Sequence, residues 1–189
     1  MTQMMVADDE RDGMAFAVAR TWDEAQLYLE LHPCPDCGSI DTPWEHSLIE
    51  VARELTIRYA GICPGCAAER EYLFGLPARE TRVSGWPTFG GPEPSELLDP
   101  GQWLDVADRA AESVPTDPVE AGRVLAVARS AVDEVVKFVP SGADAVPEDE
   151  FWTPEGRAVR DAQPGRFRLD RLLVARDTYD GLVRETGAR

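Results

Sequence analysis

The four cysteines of this 189-residue chain fall into two similar pairs. Cys34 and Cys37 lie in "CPDCG", and Cys63 and Cys66 lie in "CPGCA". Thiolates are strong zinc ligands, and each Cys-x-x-Cys turn (here called a knuckle) places two sulfurs on one side of a tight loop. Proline stiffens the knuckle, and a glycine after its second cysteine permits the positive φ that turns backbone N–H groups toward sulfur. The spacing therefore predicts one structural zinc per chain, held by all four cysteines.

Other uses of the cysteines fit the pattern less well. Rubredoxin-like iron sites have nearly the same paired knuckles, but the stretch between the pairs lacks the aromatic pattern of rubredoxin. A redox dithiol of the thioredoxin type needs a single Cys-x-x-Cys at the end of a strand in a βαβ unit. A catalytic zinc needs an open coordination position, and four cysteines leave none. Zinc is the prediction, and iron is the alternative that stays open.

The residues that must position the knuckles have the alternating pattern of strands. Apolar side chains alternate through residues 49–59 and again through residues 72–76, which is typical of half-buried strands. Residues 52–54 lie midway through the first stretch and predict the tight turn of a hairpin. Two knuckles and three strands are therefore expected to alternate along the chain.

Residues 31–77 resemble the zinc-ribbon superfamily, because two knuckles flank a hairpin and a third strand follows the second knuckle. The resemblance implies a three-stranded antiparallel sheet and a structural zinc. It specifies no function, because zinc ribbons occur in transcription factors, ribosomal proteins, enzymes and interaction modules. Ala67 departs from the pattern, since it stands where the first knuckle has Gly38. The second knuckle is therefore expected to be slightly strained.

Helices are predicted on both sides of this module. Thr21 with Glu24 forms a capping box that begins a helix over about 22–31. Three further caps, each followed directly by proline, begin helices in the second half of the chain: these caps are Asp99, Asp117 and Thr153. A last helix is predicted over about 167–185, with Leu169, Leu172, Leu173, Tyr179, Leu182 and Val183 on its buried side.

The predicted fold class is therefore α+β: a three-stranded antiparallel zinc ribbon with an N-terminal helix and a C-terminal helical part. The expected organisation has four segments. They are a flexible acidic leader at 1–20, the helix and ribbon at 21–77, a Pro/Gly-rich connector at 78–100 and a helical region at 101–189.

The charge of the chain excludes some classes of partner. There are 35 acidic and 19 basic residues, for a formal net charge of −16. Such a surface repels phosphate backbones and argues against nucleic acid, whereas it attracts a basic protein. The sequence contains no apolar stretch long enough to cross a membrane, and its start lacks the pattern of a signal peptide. These features predict a cytoplasmic protein with no membrane partner.

Candidate chemistry outside the cysteines is sparse. His32 and His46 are the only histidines, both lie near the first knuckle, and no catalytic constellation can be assembled. The most suggestive surface stretch has four acids followed by two aromatics, which can steer and then anchor a basic partner. The alternative is a solvated loop whose two aromatics dock into the protein's own helices. We call residues 144–152 the acidic segment, and its candidate partner-binding residues are Asp144, Glu148, Asp149, Glu150, Phe151 and Trp152.

The sequence thus favours a non-catalytic acidic zinc-ribbon protein that binds a protein partner, as an inhibitor, an immunity-type protein or an adaptor. An enzyme with a site in the helical part is one alternative, although no motif supports it. A nucleic-acid-associated zinc-ribbon protein is the other, and the charge argues against it.

Overall fold

The computed structural model describes residues 16–79 and 85–187. The chain divides into two compact units, Met1–Thr81 and Arg82–Arg189, which are called the ribbon unit and the helical unit below. Most of the leader predicted over residues 1–20 lies outside the described residues. Within these described residues, the ribbon unit holds one helix and one sheet, and the helical unit holds four α-helices. The predicted α+β fold class is confirmed.

Helix α1, Trp22–Leu31, begins at the predicted cap. The Thr21 hydroxyl accepts a hydrogen bond from the Glu24 backbone N–H at 3.1 Å. The Glu24 carboxylate is fully buried and accepts from the backbone and the guanidinium of Arg20, with Nη2 to Oε1 at 2.6 Å. The buried ion pair therefore fixes the chain just before the helix.

The sheet has three antiparallel strands in the order β1-β2-β3. They are β1, Glu45–Val51; β2, Glu54–Ile62; and β3, Glu69–Gly75. Tyr59 of β2 and Phe74 of β3 are buried on the face that meets α1, where Tyr28 lies edge-on to Phe74 at 5.4 Å between ring centroids. This aromatic packing against α1 supplies the core of the ribbon unit.

The turn between β1 and β2 consists of Ala52 and Arg53, as the register pairs Val51 with Glu54. Both turn residues have positive φ, 52° and 73°, which corresponds to the type I′ hairpin turn that Asn-Gly favours. Neither alanine nor arginine is suited to this conformation. The turn was predicted at residues 52–54, but its left-handed backbone was not.

Replacing this turn should stabilise the ribbon unit. The double variant Ala52→Asn/Arg53→Gly is expected to raise its free energy of unfolding by about 1–2 kcal/mol, because both residues then fit the left-handed region. Denaturant unfolding followed by a strand-specific signal measures the change. Ala52→Val is the matched control and should destabilise, since a β-branched residue fits positive φ poorly. A neutral or destabilising Asn-Gly turn would contradict the prediction.

The helical unit consists of four helices joined by loops and two short 3₁₀ turns. The helices are α2, Pro100–Glu112; α3, Pro118–Lys137; α4, Pro154–Ala162; and α5, Leu169–Glu185, with 3₁₀ turns at Glu148–Glu150 and Pro164–Phe167. Helix α3 packs against both α2 and α5, and α4 packs against α2. The core of the helical unit includes Trp103, Leu104, Val132, Val135 and Leu172, all of them buried.

Helix α5 differs from its predicted pattern. Only Leu172 of the six predicted core residues is fully buried, and Leu182 is 39% exposed. Helix α5 packs against α3 on one side, and its apolar stripe is wider than the part that α3 buries. No helix among residues 16–79 and 85–187 is both long and apolar enough to cross a membrane.

Candidate functional site

The two knuckles adopt the same backbone conformation. In the first, Cys34 N–H donates to the Ser39 carbonyl at 2.8 Å and Gly38 N–H donates to the Cys34 carbonyl at 2.7 Å. In the second, the corresponding bonds join Cys63 to Ala68 at 2.9 Å and Ala67 to Cys63 at 2.8 Å. Each loop therefore presents its two sulfurs on one side, as the repeated motif predicts.

The four sulfurs converge on one point. The Sγ atoms of Cys34 and Cys66 are 3.5 Å apart, those of Cys37 and Cys63 are 3.4 Å apart, and all four lie within 4.8 Å of one another. Tetrahedral zinc with Zn–S bonds of about 2.3 Å requires sulfurs about 3.8 Å apart. None of the four forms a disulfide. The cluster therefore fits one tetrahedral metal ion.

The cluster is half enclosed. Cys34 and Cys63 are buried, whereas Cys37 and Cys66 are exposed. A Cβ atom on Gly65 would approach the Cys37 sulfur to 3.0 Å. The tip of the second knuckle thus lies directly against the first, and a side chain at Gly65 would push the Cys37 sulfur by a few tenths of an ångström.

The electrostatics of the four thiols also suit a cation. Burial acts to raise the pKa of Cys63, but hydrogen bonds from the Gly65 backbone and the neighbouring thiols outweigh it and lower that pKa to about 6. The Ala68 backbone acts to lower the pKa of Cys66, but burial and the other three thiols raise it to about 12. One thiolate therefore opposes the ionisation of another, and a divalent cation relieves this repulsion.

Ala67 has the strained conformation expected from its sequence position. Its φ is 61°, close to the 75° of Gly38 in the first knuckle. Ala67→Gly should therefore stabilise the metal-bound ribbon unit by about 1 kcal/mol, because the left-handed region costs alanine about that much. Gly38→Ala is the matched control and should destabilise by a similar amount. Thermal unfolding of the metal-bound chain measures both, and a destabilising Ala67→Gly would contradict the assignment of strain.

Neither histidine joins the metal cluster. His32 Nδ1 lies 2.6 Å from the Tyr28 carbonyl oxygen, and its ring stacks on that of Tyr28 at 3.9 Å. His46 is exposed on β1 with its ring 5.8 Å from that of Tyr59. Among the described residues, the cluster able to hold a metal contains the four cysteines alone.

Arg70 links the first knuckle to β3 and was not identified from the sequence. It is 6% exposed, and Nη1 donates to the Thr42 hydroxyl at 2.9 Å while Nη2 donates to the His32 carbonyl. Its guanidinium also lies over the Trp44 ring, 4.8 Å from the centroid. These contacts hold both ends of the segment that carries Cys34 and Cys37. No local sequence signal distinguishes this arginine from an exposed one.

The acidic segment lies in the helical unit, where the structure separates its two aromatics. Phe151 is 3% exposed and packs edge-on against Phe167 at 4.8 Å. Residues of its own unit bury Phe151, and contact of this side chain with a partner stays a prediction. Trp152 is 39% exposed, with its ring 6.1 Å from that of Phe138. Trp152 is thus the aromatic of this segment that is available to a partner.

The acids of the segment remain on the surface. Asp144, Glu148 and Asp149 are exposed, and Glu150 is half-buried in the 3₁₀ turn. Burial and the neighbouring Asp149 charge raise the pKa of Glu150. The ionised form of Glu150 is therefore less favoured than in an isolated glutamate, and an approaching positive charge would stabilise it.

An open cleft of about 480 Å³ borders this segment. Arg160 lies over the Phe151 ring at 5.5 Å and pairs with Glu148 at 3.0 Å and with Asp161 at 2.7 Å. We call this the acidic cleft, and its lining consists of Ala145, Val146, Glu148, Phe151, Arg160, Asp161, Pro164 and Phe167. It therefore combines an apolar surface with two carboxylates that share one cation, Arg160, so that the charged groups of the lining carry a net charge of −1.

The basic residues near the C-terminus are largely paired as well. Arg166 makes two hydrogen bonds to Asp108, at 2.6 and 2.7 Å, and Arg176 pairs with Asp177 at 2.8 Å. Such intramolecular pairs offset the charges of Arg166 and Arg176 locally.

Comparison of the chain with protein families, with curated proteins and with solved structures gives no match. Its function must therefore be argued from the two sites themselves.

Proposed function

We propose that the chain is a non-catalytic, zinc-stabilised binding protein whose partner is a basic protein, and that it acts as an inhibitor, an immunity-type protein or an adaptor. The zinc would be held by Cys34, Cys37, Cys63 and Cys66 and would serve structure only. Four thiolates complete a tetrahedral shell, so no position is open for water or substrate. Iron in the same sulfur cluster is the alternative metal, and metal analysis with visible absorption distinguishes the two.

The acidic cleft is the observation that carries the partner assignment. Its apolar lining suits the aliphatic stem of a partner's lysine or arginine, while Glu148 and Asp161 lie where the cationic end would reach. The exposed Trp152 and Asp149 in the same segment add an aromatic anchor and a steering charge. A partner's cation would also relieve the repulsion between Asp149 and Glu150.

The test is capture of partners from the native cell by the tagged full chain, followed by direct binding to the purified candidate. Binding should weaken as ionic strength rises, because charge drives the association. Asp149→Arg and Trp152→Ala should each weaken binding about tenfold or more. The matched controls in the same unit are Glu112→Arg, an equal change of charge on the exposed end of α2, and Trp86→Ala, the other exposed tryptophan.

Each result has one consequence. Loss of binding in the segment variants alone supports the proposal. Equal loss in the control variants would show that total charge, and not this segment, attracts the partner. Capture of RNA or DNA would favour the nucleic-acid alternative, and the absence of a salt-sensitive protein partner would overturn the proposal.

A further inference from the structure

Strand β1 is an open edge of the ribbon sheet. The opposite edge is covered at its end, because the segment before α1 runs parallel to the last residue of β3: Gly75 N–H donates to the Ala17 carbonyl at 3.0 Å and Ala19 N–H donates to the Gly75 carbonyl at 3.3 Å. Nothing in the described residues pairs with the outer side of β1. Its side chains are mostly exposed on both faces, and Leu48 is 61% exposed. An exposed edge of this kind is a template for another strand.

The turn determines which backbone groups of β1 are unpaired. In a two-residue hairpin, the pair that closes the turn exchanges both backbone hydrogen bonds, and here that pair is Val51 with Glu54. Along an antiparallel strand, the backbone N–H and C=O groups of successive residues point toward opposite edges of the strand. The N–H and C=O groups of His46, Leu48 and Glu50 therefore point away from β2. Their side chains share one face of the sheet, the face that carries Tyr59.

We propose that a second copy of this chain occupies this edge, with two β1 strands pairing antiparallel about a two-fold axis at Leu48 to form a continuous six-stranded sheet. Leu48 then lies opposite Leu48 of the second copy, and His46 lies opposite Glu50 of the second copy at two symmetric positions. This register makes three hydrogen-bonded pairs of two bonds each, or about six backbone bonds. The proposal concerns the ribbon unit and does not depend on the partner of the acidic cleft.

Self-complementarity is the reason for choosing a second copy as the occupant. Antiparallel pairing about Leu48 is the register in which all three outward residues find a partner, with the apolar pair at the centre and an imidazole N–H donor opposite a carboxylate acceptor at each end. Parallel pairing in register would place Glu50 opposite Glu50, and two like charges directly opposite each other are unfavourable. The contact is small and each chain carries a net charge of −16. The dimer is therefore expected to be reversible, with a micromolar Kd.

Sedimentation equilibrium of the full, metal-loaded chain over a wide concentration range tests the proposal. Leu48→Lys should raise the Kd at least tenfold, because it places two ammonium groups opposite each other at the centre of the edge. Leu55→Lys is the matched control: Leu55 is 54% exposed on the same face but belongs to the inner strand β2. It should leave the Kd within about twofold if only the edge is used.

A charge-exchange cycle tests the register independently of folding defects. His46→Glu should raise the Kd about tenfold, because it opposes two carboxylates at each of two positions. The double variant His46→Glu/Glu50→Lys should recover most of this loss, since a carboxylate then faces an ammonium group at both positions. A merely unfolded strand would not be rescued, and metal content with circular dichroism confirms that each variant folds.

Three results would overturn the proposal. The first is a monomer at every concentration, and the second is a dimer that Leu48→Lys leaves intact. The third is equal weakening by Leu48→Lys and Leu55→Lys, which would indicate packing through the sheet face and not pairing of edges. Failure of the double variant to recover would likewise exclude the register about Leu48.

Discussion

Removal of the metal is expected to unfold the ribbon unit while the helical unit stays folded. The ribbon unit has a small core around Tyr59 and Phe74, and both knuckles depend on sulfurs that repel one another as thiolates. Structural zinc contributes about 10–16 kcal/mol in zinc-finger peptides, which is as large as the whole stability of a typical domain, about 5–15 kcal/mol. The helical unit draws its core from its own residues, including Trp103 and Val132, so chelation should leave it intact.

Hydrogen exchange measured by mass spectrometry before and after chelation distinguishes the two units. Protection should disappear from residues 45–75 and persist through residues 100–137. Metal analysis should give one zinc per chain, and cobalt substitution should give the absorption of a tetrahedral thiolate site. Retention of protection in residues 45–75 without metal would show that the cysteines are core residues and not ligands.

The exposed cysteines provide the sharpest variant. Cys37 is exposed, and an exposed substitution ordinarily changes stability by less than about 0.5 kcal/mol. If Cys37 is a ligand, Cys37→Ser should instead abolish tight metal binding and unfold the ribbon unit as fully as Cys63→Ser at the buried position. Ser39→Ala, two residues away, is the control and should retain the metal. A harmless Cys37→Ser would contradict the four-cysteine site.

The parts of the structure that the sequence predicts are those that short segments determine. Each knuckle is a five-residue motif, so its conformation follows from Pro35, Gly38 and their equivalents in the second pair. The alternation in residues 49–59 predicts a hairpin because a strand exposes every second side chain to the same surroundings. The helix caps at Asp99, Asp117 and Thr153 are likewise local and occur where they were predicted.

The parts that sequence reasoning missed are contacts between residues distant in the chain. Arg70 is an ordinary strand residue until its guanidinium meets the His32 carbonyl, 38 positions earlier. Phe151 follows an acidic run that indicates a surface, yet Phe167 and the turn around it bury its ring. Burial of a particular side chain depends on which elements pack on it. The periodicity of the segment itself does not indicate those elements.

Asp99 shows the same limit at a residue whose local role was predicted correctly. Its Oδ1 accepts from the backbone N–H groups of Gly101 and Gln102, at 2.9 and 3.0 Å, and so caps α2. Its Oδ2 accepts from the backbone N–H and the hydroxyl of Thr153, at 2.9 and 2.6 Å, 54 positions later. One fully buried carboxylate therefore joins the N-termini of α2 and α4, where both helix dipoles favour a negative charge.

Asp99→Ala is expected to destabilise the helical unit by about 3–5 kcal/mol, because four buried donors lose their acceptor at once. Asp99→Asn should lower the free energy of unfolding of the helical unit by about 2–3 kcal/mol. The amide has one acceptor oxygen, so its NH₂ group must face the donors of either α2 or Thr153. Asp117 is the matched control: it caps α3 through bonds to Val119 and Glu120 but is exposed. Asp117→Asn should therefore be nearly neutral, as the two residues are equivalent caps.

The close packing around Asp99 gives a second, independent variant. Gly101 and Gly156 let the two helix N-termini touch, and a Cβ on Gly156 would overlap the Asp99 carboxylate. Gly156→Ala should therefore destabilise the helical unit by about 3–5 kcal/mol, whereas Gly181→Ala, which points into open space on α5, should stabilise it by about 1 kcal/mol.

Chemical unfolding followed by helical circular dichroism measures these variants in the metal-loaded chain. If Asp99→Asn and Asp117→Asn were equally mild, the junction of α2 and α4 would be held by apolar packing alone, and the carboxylate would be only a cap. We expect Asp99→Asn to destabilise the unit more than Asp117→Asn because Asp99 is buried. Both residues accept two backbone hydrogen bonds as caps, but at Asp99 these bonds are shielded from water and the N-terminus of α4 adds further donors.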